Sequence, residues 1–372
     1  MEPITYKDIL NPIVENPLVG IIKKLDTQRA YQHDIVVPSG HIHYEGGILY
    51  AGEEEYTVND LAHDQISGKL DIPISYYKKM KTEYPELLDK NINGWLSRKE
   101  KAKFLLRTFK YADTDSVCRA FLSDRYNILD NYDVLITALE AIKDTGIEIE
   151  IVKANVTDRR MYIHAVAPSI HVDATNLLDD YLADTSKAVL NNGIISGILL
   201  TNSEVGMGTF EVAACAQILK CTNRMHDRAS KFRKVHLGGK MDEGIIQWSQ
   251  TTRNKNYELI MSQVKDAVKT YLSQDYLGQL TLKLQRAKDT EIEHPVQVIE
   301  NISNALNIEQ AHRDNILKYF LRDQQSQNAL GVLNAVTRES QKMLPDSQYN
   351  VESELFQMLP GIKKWDKPAS KN

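Results

Sequence analysis

The amino-acid sequence predicts an α+β protein with a mixed β-sheet module in strand–helix–hairpin order, an N-terminal α+β part and a C-terminal helical region. Three observations predict it. Segments with strand-like alternation of apolar and polar residues occupy the middle of the chain, helical spacing dominates after about residue 245, and 372 residues exceed the usual size of a single core. We therefore divide the chain into residues 1–97, 98–245 and 246–372.

The N-terminal part combines short strands with short helices. Pro3, Pro12 and Pro17 interrupt any long helix, so the first 35 residues are predicted to be an arm or short elements. Glycine turns within DIVVPSGHIHYEGGILYAGEEEYTV predict short strands. The following stretch, IPISYYKKMKTEYPELLDKNINGWLSRKEKAKFLLRTF, predicts two or three short helices divided at Pro85 and Gly94.

The central module begins with the alternating segment VCRAFLSDRY and the helix NYDVLITALEAIKDTG. EIEIVKANV and RRMYIHAVAPSI alternate at period two around Thr157-Asp158, which predicts a β-hairpin. Residues 168–193 predict a mobile excursion, in which VDATNLLDDYLADTS can form one short helix. IISGILLTNSEV and GTFEVAACAQILKCTN predict two further strands, although the second can turn helical near Ala213.

The C-terminal region carries a helical repeat of apolar residues. Ile260, Val264, Val268 and Leu272 recur every fourth position, which places them on one face of a helix. Pro295 interrupts the pattern, and further helical segments follow it. This region is predicted to be a small helical domain or a set of packing helices.

Charge, cysteine usage and hydropathy narrow the class of protein. The chain has 45 basic and 50 acidic side chains, a formal charge of −5, so any attraction for nucleic acid requires a local patch. Cys118, Cys215 and Cys221 form no CxxC pair, which favours reduced thiols in a cytoplasm. Since no signal-peptide pattern and no run of roughly 18 apolar residues occur, we expect a cytoplasmic protein without membrane contact.

Sequence signatures of catalysis are missing. The chain contains no Walker A motif, no G-x-G-x-x-G between strand and helix, and no G-x-S-x-G, and the glycines of VGMG are expected to form a turn or bulge. Neither the histidines of HIHYE nor the set Cys221, His226 and His236 has the spacing of a common metal site. We therefore expect no catalytic residue, no cofactor and no bound metal.

Two basic segments stand out in this acidic protein. Residues 219–240 contain seven cations and one acid, Asp227, hence a local charge of +6, which suits a phosphate backbone. Its cations are Lys220, Arg224, Arg228, Lys231, Arg233, Lys234 and Lys240. The second segment interleaves cations with Trp95, Phe104, Phe109 and Tyr111, a composition typical of single-strand binding, although a solvated charged face over core aromatics has the same composition. Its cations are Arg98, Lys99, Lys101, Lys103, Arg107 and Lys110.

Further cations flank the central motifs. Arg119 and Arg125 belong to CRAFLSDRY, and Arg159-Arg160 lies at the hairpin turn, where it can face the same surface. Polar clusters end two apolar runs at Thr201 to Glu204 and at Thr222-Asn223. Such clusters cap helices and form turns more often than they catalyse.

Several motifs resemble one known family. SDRYNILDNYDVL, LLTNSEVGMGTFEV…LKCTNRM and NALGVLNAVTRESQ…VESELFQ look like the phage and plasmid-like family named domain of unknown function 932, and DIPISYYKKMKTEYPELLDKNINGWL resembles its extended phage members. The resemblance covers about residues 55–350 and implies a cytoplasmic protein of a phage, prophage or plasmid. It transfers no catalytic residue. Relatives often have an Arg before Cys-Thr-Asn, where this chain has Gln217 and Lys220.

The leading hypothesis from sequence is a non-enzymatic protein that binds nucleic acid, with single-stranded DNA as the expected ligand, in phage recombination, replication or annealing. Assembly into a homo-oligomer would multiply a modest patch. One alternative is an interaction protein that inhibits or reprograms a host (defence) complex. Another is a metal-dependent nucleic-acid enzyme that uses Asn202, Glu204 and Asn223.

Overall fold

The computed structural model describes residues 17–111, 115–178, 193–218, 224–234, 249–323 and 327–367, with the backbone alone for 224–234. Within these residues the fold is α+β, as predicted. The strands of one β-sheet are followed along the chain by the strands of a second, and helices precede and follow them. No helix among the described residues is long and apolar enough to cross a membrane.

The first sheet has six strands in the order β1-β5-β6-β4-β3-β2, and its pairs are antiparallel except for β4 with β6. The turn between β2 and β3 holds two glycines at positive φ, Gly46 and Gly47, which is the backbone that a tight hairpin requires. The strands are β1 (Ile35–Pro38), β2 (Ile42–Glu45), β3 (Ile48–Ala51), β4 (Glu54–Val58), β5 (Lys103–Phe109) and β6 (Val117–Ser123).

Two strands of this sheet differ from the sequence expectation. Residues 103–109 were expected to extend the preceding helices but form β5, which is buried on both faces and therefore lacks a period-two pattern. The segment VCRAFLSDRY was expected in the central module, yet β6 pairs with β5 from Phe104↔Ser123 to Phe109↔Val117. The first sheet therefore extends past the predicted division at residue 98.

Three helices accompany the first sheet, α2 (Asp60–Lys69), α3 (Ile74–Glu83) and α4 (Pro85–Arg98), whereas α1 (Pro17–Tyr31) buries Leu18, Ile22 and Leu25 in the core of the second sheet. The Asn59 side chain caps α2 by accepting from the Ala62 N–H at 2.8 Å. The expectation of short elements over the first 35 residues is wrong for α1. Pro17 occupies the first position of that helix, where the missing N–H costs nothing, and the earlier prolines lie outside the described residues.

A buried histidine lies beside the core of the first sheet. His63 of α2 is 5% exposed, and its Nδ1 lies 2.8 Å from the hydroxyl of Tyr77 on α3. The Tyr44 ring packs edge-on against it, with ring centroids 6.1 Å apart. Burial disfavours the charged imidazolium and lowers the pKa of His63 from its ordinary 6.5 to about 4, and the nearby Lys81 adds to the effect.

This histidine predicts a pH dependence of stability. An unfolded chain takes up the proton near pH 6.5, whereas the native ring stays neutral down to about pH 4. The contribution to the free energy of unfolding is therefore complete above pH 6.5 and is lost as the pH falls from 6.5 toward 4. Urea denaturation across this window should show a shallower pH dependence for His63→Gln than for wild type. The exposed control His43→Gln should retain the wild-type profile, and identical profiles for wild type and His63→Gln would contradict the prediction.

The second sheet is an antiparallel meander in the order β11-β10-β9-β8-β7. The hairpin at Thr157 is confirmed, since β7 and β8 pair from Glu150↔Val166 to Val156↔Met161. β10 stays extended through Ala213, and β8 runs to Asp173 before a single helical turn, after which residues 179–192 lie outside the described residues. The elements are α5 (Asn131–Lys143), β7 (Glu150–Val156), β8 (Met161–Asp173), α6 (Thr175–Leu178), β9 (Gly193–Asn202), β10 (Phe210–Ile218) and β11 (Arg224–Lys234).

The C-terminal region is helical, as predicted. The four-residue repeat of α7 is buried at Ile260, Val264, Val268 and Leu272, in one core with α5 and the second sheet. A second core joins the later helices to the other end of the same sheet. The helices are α7 (Gln250–Tyr271), α8 (Gln274–Lys288), α9 (Pro295–Ala305), α10 (Gln310–Asp323), α11 (Ala329–Ser340) and α12 (Pro345–Met358), and a 3₁₀ segment covers Leu359–Trp365.

Candidate nucleic-acid interface

The loop between β9 and β10, residues 203–209, joins the two sheets. Side chains of the first sheet and its helices donate to the backbone of this loop. Tyr126 Oη donates to the Ser203 carbonyl at 2.8 Å, and Gln65 Nε2 donates to the Val205 carbonyl at 2.6 Å. The motif TNSEVGMG therefore connects the two sheets. We call the loop 203–209, together with the side chains bound to it, the joint.

Arg107 lies at the centre of the joint and is fully buried. Its Nε and Nη2 donate to Asp34 Oδ2 at 3.0 and 2.7 Å, and Nη2 also donates to Asp130 Oδ1 at 2.5 Å. Nη1 donates to the Glu204 carbonyl at 2.9 Å. Removing a guanidinium from water is costly unless carboxylates compensate it, and here they do. The assignment of Arg107 to a nucleic-acid surface is therefore wrong. The guanidinium is buried and bound to Asp34, Asp130 and the Glu204 carbonyl, so it is not accessible to a phosphate.

Glu204 and Asn202, candidates for the enzymatic alternative, hold the start of α5. Glu204 Oε1 accepts from the Asn131 N–H at 2.6 Å, and Oε2 accepts from Arg119 Nη1 at 2.5 Å. Asn202 Nδ2 donates to the Leu129 carbonyl and to Asn131 Oδ1, both at 2.9 Å. A carboxylate at a helix N-terminus is a stabilising arrangement.

The remaining enzymatic candidate, Asn223, lies outside the described residues. Across the part of the chain that the structure describes, no group of three His, Cys, Asp or Glu side chains is arranged to hold a metal ion. Asn202 and Glu204 thus have structural partners, and nothing in their geometry points to chemistry on a substrate.

The glycines of VGMG allow the loop to approach its neighbours closely. Gly206 has φ +76°, and a Cβ there would lie 2.7 Å from Leu122 Cδ2. A Cβ on Gly208 would lie 2.8 Å from the guanidinium carbon of Arg160, whose Nε donates to the Met207 carbonyl at 2.6 Å. The expectation of a turn at VGMG is confirmed, and this turn fixes Arg160 beside the joint.

Exposed cations line the outer end of the joint. β5 begins at Lys103 and the antiparallel β6 ends at Ser123, so Lys103 and Arg125 lie at the same end of the first sheet. Ser203 Oγ donates to the Arg159 carbonyl at 2.7 Å, while the residue after Arg125 bonds to the Ser203 carbonyl. The β6 end and the β7–β8 turn therefore meet. We call the exposed set at this end the basic strip: Arg98, Lys101, Lys103, Arg125 and Arg159.

An exposed aromatic side chain extends the basic strip. Trp95 of α4 is 44% exposed, and the Arg98 guanidinium lies 5.9 Å from its ring centroid. Both precede Lys101 in the short connection to β5. An exposed indole beside cations is the combination that stacks on unpaired bases.

Other members of the second predicted cluster lie elsewhere. Lys99 pairs with Asp71 at 3.1 Å, and Lys110 pairs with Glu54 at 2.5 Å at the far end of β5. Phe104 belongs to the core of the first sheet. The aromatic residues of this cluster therefore do not form one stacking surface, because Phe104 is in the core and Trp95 is exposed.

The described part of the cluster at 219–240 is an edge strand of the second sheet. Arg224, Arg228, Lys231, Arg233 and Lys234 belong to β11, whereas Lys220 and Lys240 lie outside the described residues. The register pairs the strand's last residue, Lys234, with Phe210, which directly follows the joint loop. β11 therefore ends at the same end of the sheet as the β7–β8 turn, but the two lie at opposite edges of that sheet, so the structure does not bring the two predicted basic clusters together.

The partners of Arg107 were missed from the sequence. Asp34 and Asp130 lie 73 and 23 positions away from it, and isolated acids carry no spacing signal. Asp130 alone had a local sequence signal, and that signal was for a helix cap rather than for a partner of Arg107. It precedes the first residue of the helix NYDVL, where an acid is favoured.

The fold and the joint define an α+β protein of two sheets with a buried ionic centre and a basic outer end. Comparisons with protein-family models, with curated proteins and with solved structures gave no match. The resemblance to domain of unknown function 932 stays a prediction.

Proposed function

We propose that this protein binds nucleic acid without catalysing a reaction on it, that single-stranded DNA is the ligand, and that the binding serves recombination, replication or annealing in a phage or other mobile element. The basic strip carries the proposal. Five exposed cations, with Trp95 also exposed, belong to the end of α4, the α4–β5 connection, the β6 end and the β7–β8 turn, and they outnumber the three acids of the same short segments, Glu100, Asp124 and Asp158.

The chemistry of the strip suits a single strand. Each cation that neutralises a phosphate releases a counterion, which gives a salt-dependent affinity without sequence preference. Trp95 offers a ring face to any base. Because the chain as a whole is acidic, with a formal charge of −5, binding would depend on a local patch such as this strip.

Fluorescence anisotropy with a labelled oligonucleotide at two salt concentrations tests the proposal. We expect the double variant Arg125→Ala/Arg159→Ala to bind about tenfold more weakly at low salt and to lower the slope of log affinity against log salt by about 1.4, since each phosphate contact with a single strand contributes about 0.7. The matched control is Lys269→Ala/Lys318→Ala, which removes two exposed lysines from α7 and α10. It should bind as wild type does.

Two results would contradict the proposed function. One is the absence of salt-sensitive binding by the wild-type protein at micromolar concentration. The other is a strip variant whose affinity and salt slope equal those of the control. Binding of duplex and single strand with equal affinity would instead assign the strip to backbone contacts without base stacking.

A further inference from the structure

Two neighbouring arginines of the joint use their hydrogen-bond donors differently. In Arg107 the Nε–Nη2 edge is occupied by Asp34, and Nη1 binds the Glu204 carbonyl. In Arg119 only Nη1 has a partner, Glu204 Oε2, while Nε and Nη2 are buried and without a hydrogen-bond partner among the described residues. The Nε–Nη2 edge is one of the two guanidinium edges that can bind a carboxylate or phosphate through two parallel hydrogen bonds.

Arg119 occupies an irregular position that fixes this orientation. β6 carries one extra residue where its register shifts, because Arg107 faces Ala120 and Thr108 faces Cys118. Arg119 is that bulged residue, and bulges redirect side chains beside functional sites. Its side chain is held by Glu204 at one end and by the Phe109 ring, whose centroid lies 4.3 Å from the guanidinium carbon.

A continuous group of aromatic rings extends from this guanidinium to the surface. The Phe109 and Tyr111 centroids are 6.1 Å apart, and those of Tyr111 and Tyr31 are 4.9 Å apart. Phe109 and Tyr111 are half-buried, whereas Tyr31 is 40% exposed. The unpaired donor edge is thus buried beside a group of rings that reaches solvent.

We propose that the Nε–Nη2 edge of Arg119 is a phosphate subsite for a nucleotide, and that Tyr111 and Tyr31 provide the stacking surface for its base. This inference rests on the proposed function and extends it to a second contact. Arg119 is the third residue of β6, whereas Arg125 follows the last residue of that strand. The subsite and the basic strip therefore lie toward opposite ends of β6.

The neighbouring carboxylates do not occupy the unpaired edge of Arg119. Asp34 and Asp130 are both bound to Arg107, and the Glu204 carboxylate is shared between Arg119 Nη1 and the Asn131 N–H. A buried donor without a partner carries a desolvation penalty that a bound acceptor removes. A phosphate oxygen pair would satisfy both free donors at once, since the guanidinium fork matches that geometry.

Isothermal titration of the full-length protein with thymidine 5′-monophosphate, thymidine and inorganic phosphate tests the subsite. We expect the monophosphate to bind and thymidine not to bind. Arg119→Lys keeps a cation for Glu204 but removes the fork, and should weaken the monophosphate about tenfold. Tyr111→Ala should weaken the monophosphate and leave inorganic phosphate unchanged. Lys269→Ala/Lys318→Ala should bind both as wild type does.

The outcomes separate this subsite from the proposed function. A wild-type protein that binds oligonucleotide but neither the monophosphate nor inorganic phosphate overturns the subsite and leaves the strip standing. Binding of the monophosphate without salt-sensitive oligonucleotide binding overturns the proposed function and leaves a nucleotide site. Unchanged binding by Arg119→Lys overturns the assignment to Arg119. If circular dichroism shows that this variant is unfolded, Tyr111→Ala decides: equal loss of the monophosphate and of inorganic phosphate overturns the subsite.

Discussion

Arg107→Met should lower the free energy of unfolding by about 3–5 kcal/mol, as expected when one partner of a buried ionic cluster is removed. Methionine fills a similar length but leaves Asp34 and Asp130 without their cation, at side-chain exposures of only 17% and 24%. The Glu204 carbonyl loses a donor as well. Urea denaturation followed by circular dichroism and tryptophan fluorescence measures the effect.

The matched control is Arg125→Met, which removes a guanidinium from the exposed end of the same sheet. Its effect should stay within about 0.5 kcal/mol. In the Arg107→Met background, Asp34→Asn and Asp130→Asn together should restore part of the loss, because the uncompensated charges disappear. Equal stabilities for Arg107→Met and Arg125→Met would show that the ionic centre does not hold the sheets together.

The contrast between these two arginines explains what sequence could predict of the site. Arg125, Arg159 and Arg160 adjoin a strand end and a hairpin turn, and period-two alternation with turn chemistry is enough to place each of them at the end of a strand. Their convergence beside the joint loop depends on contacts between two sheets, which local patterns do not specify. The glycine turn of VGMG could be predicted for the same local reason.

Arg107 could not be placed from sequence, because its environment is made by distant segments. It stands in KFLLRTF, which is buried on both faces and shows no alternation, and this concealed the strand as well. Its position among five other cations indicated a charged surface. Only pairing of β5 with β1 and β6 brings it to Asp34 and Asp130, and no local pattern specifies that pairing.

The fold class was predictable because helical and extended periodicities occupy separate stretches of the chain. The division between sheets was not, since β6 and β7 differ in partners rather than in pattern. β6 pairs with strands that precede it, and α5 then carries the chain to a new sheet. The order of strand, helix and hairpin could be predicted from the sequence. Which sheet each strand joins depends on long-range contacts.

Gly197→Ala should destabilise the second sheet by about 3 kcal/mol or more, at the upper end of the usual cost of overpacking. Gly197 lies on β9 between β8 and β10, and a Cβ there would lie 2.7 Å from the Ala165 carbonyl oxygen and 2.9 Å from Cys215 Sγ. The first of these atoms is backbone of a paired strand, so it cannot move without disturbing the ladder. Urea denaturation and the yield of folded protein measure the effect.

Gly278→Ala provides a control of opposite sign. Gly278 lies within α8, where an added Cβ meets no atom within 4 Å. Alanine is a better helix former than glycine, so this variant should gain about 0.5–1 kcal/mol. A Gly197→Ala protein as stable as wild type would mean that the Ala165 carbonyl oxygen leaves room for a Cβ at this position, which contradicts the prediction. Because β9 leads into the joint loop, loss of stability at Gly197 should also weaken oligonucleotide binding, whereas the gain at Gly278 should leave that binding unchanged.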